Sequence, residues 1–196
     1  PELKAMTLAR LGDSAGMVGC LEDAVYADEG TGYFQNCFVP GTVARTLRDK
    51  VAAATQALAA DPKAYWMRVY RGDCRRSPEV CDYLGALADF EEAVLQAPDC
   101  AYAWSYLARA RLSHGTPDSA RQAAVRSVEL RPDCGWIWTW RGEVRRRLGD
   151  GAGSLSDFDR GIRLAPTYEF GPAWRGGALR AMGRMEEADA DLELAC

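Results

Sequence analysis

The 196-residue sequence holds one histidine, His114, and no Cys-x-x-Cys pair among its seven cysteines. Structural zinc draws its ligands from closely spaced Cys and His, so the supply here is poor, and no metal or other cofactor is expected. A glycine-rich phosphate loop, a paired-carboxylate motif and a readable Cys–His pair are all missing. Catalysis therefore has no visible carrier, and the chain reads as a non-enzyme unless a catalytic domain lies outside it. His114 sits in the turn Ser113-His-Gly-Thr-Pro117 and reads as an ordinary turn residue. No apolar run approaches the ~18 residues of a spanning helix, so no membrane partner is expected. An excess of one charge is also lacking. Lys and Arg number 24 against 28 Asp and Glu, a net −4 spread along the chain, which leaves no footprint for nucleic acid. The opening Pro1-Glu-Leu-Lys has no initiator methionine and no charged-then-apolar leader, as expected of a processed product or a piece of a longer chain. The odd set of cysteines (Cys20, Cys37, Cys74, Cys81, Cys100, Cys134, Cys196) points to a reducing, cytoplasmic setting.

What the sequence does contain is a period. Pro98 to Pro132 and Pro132 to Pro166 are 34 residues each, and Pro62 to Pro98 is 36. Eight residues after the prolines stand Tyr70, Tyr106, Trp140 and Trp174, and two further on stand Gly72, Ala108, Gly142 and Gly176. Phe90, Ala124 and Phe158 precede the last three prolines by eight. A unit of about 34 residues punctuated in this way is a helix hairpin stacked into a solenoid. First helices are predicted over 65–76, 101–113, 135–148 and 169–182, and second helices over 79–96, 117–130, 152–164 and 185–195. Ser77-Pro78-Glu79 and Thr116-Pro117-Asp118 read as hydroxyl cap, proline at the first helical position and an acid near the positive helix end. Residues 43–60 read as a further second helix, whereas 29–42, broken by Pro40 and three glycines, reads as a short helix or packed loop.

Stretches such as Ala101-Tyr-Ala-Trp-Ser-Tyr-Leu-Ala108 and Asp157-Phe-Asp-Arg-Gly-Ile-Arg-Leu-Ala-Pro166 resemble the tetratricopeptide repeat family closely. The match is strong over 65–196, good over 1–28 and partial over 29–62. The resemblance implies an all-α solenoid, a right-handed superhelix of antiparallel helix hairpins spanning 1–196 as one domain. Its repeats would be 1–30 (truncated), 31–62 (irregular), 65–100, 101–134, 135–168 and 169–196 (incomplete). It also implies a molecule that binds others rather than transforms them.

Two side-chain patterns stand out within the repeats. Arg71, Arg141 and Arg175 occur where the matching second helix carries Asp89, Asp157 or Asp191, while Leu107 goes with Ala123. Charge that appears and vanishes with its partner is expected of an ion pair within one hairpin. The second pattern is a ladder at i, i+4 spacing: Trp66/Tyr70, Tyr102/Tyr106, Trp136/Trp140 and Phe170/Trp174. In the family this stripe lines the inner surface where ligands bind. Core packing is expected to fall instead to the neighbouring stripe, with Trp104 and Trp138. The ladder therefore reads either as helix-on-helix packing or as an aromatic groove for a peptide, with Arg109, Arg146, Arg180, Asp73 and Glu143 nearby. The arginines favour an acidic or carboxylate-bearing protein partner. The family's clamp for a C-terminal carboxylate does not carry over, because Val69, Ser105, Thr139, Ala173 and aromatics occupy its places. The competing readings are a self-associating module, joined through an uncapped end at Leu192-Glu-Leu-Ala-Cys196, and a non-catalytic part of a larger enzyme. Cys100 and Cys134 read as small buried residues at helix starts. Cys74 and Cys81 read as two free thiols or a disulfide across a lengthened turn.

Overall fold

The structure is a computed structural model that describes residues 46–194. Among these residues it contains nine helices and no strand: α1 Leu47–Ala60, α2 Tyr65–Arg76, α3 Tyr83–Gln96, α4 Ala101–Ser113, α5 Pro117–Leu130, α6 Gly135–Arg147, α7 Gly151–Leu164, α8 Phe170–Ala181 and α9 Met185–Leu194. The irregular segment 29–42 and the truncated first repeat lie outside the described residues. The chain divides into two compact units, Pro1–Pro98 and Asp99–Cys196. In the first, α1 packs on α2 and α2 on α3; in the second, α4/α5, α6/α7 and α8/α9 form three successive hairpins. The architecture is that of an all-α solenoid.

Local chemistry explains where the helices begin and end. Thr46 and Asp49 form a reciprocal capping box at the start of α1. Asp82 and Asp150 cap α3 and α7 by accepting from the N–H of Gly85 and Gly153. The α4–α5, α6–α7 and α8–α9 turns pass through Gly115, Gly149 and Gly183 at φ +73°, +80° and +79°, a region that costs glycine little.

Two turns differ from the expectation. The helix predicted from Glu79 begins at Tyr83, because Ser77 ends α2 instead of capping α3: its hydroxyl donates to the Cys74 carbonyl at 2.7 Å. The extra residues of this longer turn are absorbed at Cys81, which takes φ +55°. Pro117 does open α5, but the Thr116 hydroxyl donates back to the Arg111 carbonyl at 2.9 Å and caps no N–H. Cys74 and Cys81 are free thiols, one buried and one exposed.

In two hairpins a glycine meets a phenylalanine. A Cβ on Gly72 would lie 2.7 Å from the Phe90 ring, and one on Gly142 would lie 2.8 Å from Phe158. In the hairpin with Ala108 the matching position is Ala124, and both are buried. Close packing demands such complementarity, since the interior has no room for an added methyl.

Candidate functional site

The arginine–aspartate pairs form as the repeat pattern requires. Nε and Nη2 of Arg71, Arg141 and Arg175 donate to both carboxylate oxygens of Asp89, Asp157 and Asp191 at 2.5–2.9 Å. These aspartates are 1–3% exposed. Fork-to-fork geometry satisfies a buried carboxylate, and where Leu107 replaces the arginine, both it and Ala123 are fully buried. A second arginine joins two of the pairs: Arg75 reaches Asp89 at 2.9 Å and Arg145 reaches Asp157 at 3.0 Å. Sequence reasoning missed it, although an arginine four residues after Arg71 and Arg141 was there to be read. The ion pair of Arg175 with Asp159, at 2.6 Å, was also missed. Its pKa is raised by the hydrogen bond to Asp191 and, to a lesser extent, by Asp159.

The aromatic ladder divides into a closed part and an open part. Tyr70 is 3% exposed, Tyr102 5%, Tyr106 8% and Trp136 1%. Trp66, Trp140 and Trp174 are half-buried and Phe170 is exposed. The stripe expected to supply the core, Trp104 and Trp138, is itself only half-buried. That expectation fails because a first helix is covered on two sides, by its own second helix and by the next first helix. Ring contacts show the second covering: Tyr102 meets Trp136 edge-on at 5.4 Å between α4 and α6. The Tyr102 and Tyr106 hydroxyls also bond to each other at 2.9 Å.

Apart from Trp66, the open part lies in the second unit. Trp174 meets Trp140 edge-on at 4.6 Å, and Phe170 lies 5.4 Å from Trp174. The Arg109 guanidinium sits 3.3 Å from the Trp140 ring centroid and 5.2 Å from that of Tyr106. Tyr168, which the periodicity did not single out, closes this cluster from beneath: it is 1% exposed and 5.4 Å from Phe170. Burial pushes its phenol well above the ordinary range, with the Arg109 charge and the Trp140 indole pulling the other way. Its buried hydroxyl makes no well-formed hydrogen bond.

The other charged residues assigned to this surface are engaged within their own helix or hairpin. Arg146 donates to both oxygens of Glu143 at 2.7 and 2.9 Å, Arg147 adds 2.6 Å, and Arg180 pairs with Asp189 at 2.9 Å. In the first unit Asp73, 3% exposed, pairs with Arg76 at 2.8 Å. Cys100 and Cys134 stand buried at the N-caps of α4 and α6. Burial raises the thiols of Cys74 and Cys134 to about 11 and about 12, which keeps them protonated and unreactive at neutral pH. Among the described residues no group of three or more His, Cys, Asp or Glu is placed to hold a metal, and no helix is long and apolar enough to cross a membrane.

Paired helices stacked at a period of 34 to 36 residues, with their aromatic and small positions in register, define a helical-repeat protein. The signature of the family described as Tetratricopeptide repeat matches residues 82–133 and again 107–169. Residues 82–169 thus carry the repeats of that family. Its fold is similar to the crystal structure of MamA, with a TM-score of 0.61 at 16% identity over 85% of this chain and 91% of that one. It is also similar to TTC0263, a thermophilic TPR protein in Thermus thermophilus, with a TM-score of 0.70 at 15% identity over 89% of each chain. No curated protein sequence is significantly similar to it.

Proposed function

We propose that the chain is a protein-interaction scaffold, and that its second unit binds a peptide on the open end of the aromatic ladder. One observation carries this reading: Trp140, Trp174 and Phe170 stay accessible where the rest of the ladder in that unit is closed, with Arg109 stacked on Trp140 at 3.3 Å. Aromatics that are already held by neighbours offer contact area at little entropic cost, which is why they dominate binding hot spots. The arginine adds a cation at the edge of an apolar surface. The best-fitting partner is therefore a segment with an apolar or aromatic residue next to a carboxylate.

The test is affinity selection of displayed peptides on the full chain, followed by binding and melting measurements on variants. Trp174→Ala and Phe170→Ala should each weaken the selected peptides by on the order of 2 kcal/mol while the melting temperature changes little. Arg109→Ala should mainly slow association and reduce its salt dependence. Trp136→Ala, at a closed position, should destabilise the fold instead. Peptides that bind Trp140→Ala, Trp174→Ala and Phe170→Ala as tightly as the unmodified chain would place recognition elsewhere.

A further inference from the structure

The repeated arginines use two nitrogens alike and the third differently. Nη1 of Arg71 donates to the Thr55 hydroxyl on α1 at 3.2 Å. Nη1 of Arg175 donates to Asp159 on α7 at 2.6 Å. Both acceptors stand 16 residues before their arginine, on the preceding helix. The residue at that offset before Arg141 is Val125 on α5, which offers no acceptor. Arg141 spends Nε and Nη2 on Asp157, and nothing among the described residues accepts from Nη1.

A cavity of about 270 Å³ opens at this place between α5 and α6. Its polar lining is Arg121, Arg141, Arg145 and Asp150, and its apolar lining includes Val125 and Val144. Arg121 is exposed and makes no ion pair among the described residues. Arg145 shares Asp157 and leans toward Asp150 at 3.7 Å. Three guanidinium groups thus face the two carboxylates of Asp150 and Asp157, one positive charge in excess. Arg141 and Arg145 lie about 140° around α6 from Trp136 and Trp140 respectively, so this face is distinct from the aromatic surface.

We propose that this cavity is a carboxylate-binding site that takes an acidic side chain of a partner polypeptide. The ligand carboxylate would accept from Arg141 Nη1 in the place that Asp159 fills beside Arg175, with Arg121 as its second cation. The excess of one charge matches a monoanion, and an ionised acceptor on guanidinium is among the stronger hydrogen bonds. Val125 and Val144 suit the methylenes of such a side chain. The next repeat supplies this carboxylate from within; this one leaves it to a partner.

The experiment titrates the isotope-labelled full chain with blocked hexaglutamate, blocked hexaglutamine and inorganic phosphate, following the amides of α5 and α6 and the arginine Nε–H signals. Hexaglutamate should shift Arg121, Arg141 and Val125, and hexaglutamine should not. Arg121→Ala, at an exposed position, should weaken the hexaglutamate response about tenfold with the melting temperature unchanged, as expected for loss of a charge-assisted contact. Val125→Asp, which supplies the acceptor internally, should also weaken it and should raise the melting temperature. The proposal is overturned if hexaglutamate causes no localised shift, if Arg121→Ala responds like the unmodified chain, or if phosphate shifts these residues while hexaglutamate leaves them unmoved.

Discussion

Asp157 is 1% exposed and accepts from both Arg141 and Arg145, so removing one arginine leaves its charge partly served. Breaking a buried pair outright costs about 3–5 kcal/mol, and Arg141→Leu should fall at or below the lower end of that range. Arg141→Leu combined with Asp157→Ala should recover much of the loss, since the Leu107 and Ala123 hairpin already carries that apolar combination. Simple additivity of the two losses in a double-mutant cycle of thermal melts would show no coupling. Glu143 behaves differently. Burial alone would raise its pKa, but hydrogen bonds from Arg146 and Arg147 outweigh burial and hold it below the ordinary carboxylate value. A depressed folded-state pKa contributes stability above the unfolded value of about 4.3, and that contribution is lost as pH falls through the folded value. Glu143→Gln should therefore flatten the acid limb of the stability–pH curve and leave its alkaline limb unchanged.

Between elements, hairpin packing turns on one methyl-sized space. Gly142 faces Phe158 at a distance that admits no Cβ, with the Ser154 carbonyl also only 3.2 Å from the place it would occupy. Gly142→Ala should gain up to ~1 kcal/mol in helix propensity and lose about 1–3 kcal/mol to overpacking. Net destabilisation is expected in chemical denaturation. Combining it with Phe158→Ala recreates the Ala108–Ala124 pairing, so the double change should cost less than the sum of the singles. The same complementarity explains why the small-residue period was legible: a glycine or alanine recurring opposite a phenylalanine or alanine is a volume rule written directly in residue types. The turn before α3 was not legible, because Ser77 has a hydroxyl suited to either helix end. Only its position against the Cys74 carbonyl decides between them.

For the molecule as a set of stacked hairpins, stability is close to a sum over neighbouring elements. In the second unit α6 buries Trp136, Ile137, Thr139, Glu143 and Val144, whereas α9 buries Ala188 and Asp191. Hydrogen exchange should accordingly be slower in α6 than in α9. Equal protection of the two would indicate that the unit opens only as one cooperative block. Circular dichroism should be dominated by helix.

The sequence alone determined the helical repeat, the hairpin boundaries to within a few residues and the Arg–Asp pairings. Each of these rests on spacing along the chain, and a 34-residue period converts spacing into position. Tertiary structure alone decided which aromatics are reachable. Tyr102, Trp136 and Trp174 share one ladder in sequence, yet the first two are closed and the third is half-open, because exposure depends on what the adjacent helices lay over each ring. The unmatched Nη1 of Arg141 became visible in the same way. Valine in place of aspartate is a small change in sequence, and only the packed helices show the missing acceptor, the arginine nitrogen it leaves unserved and the cavity between them.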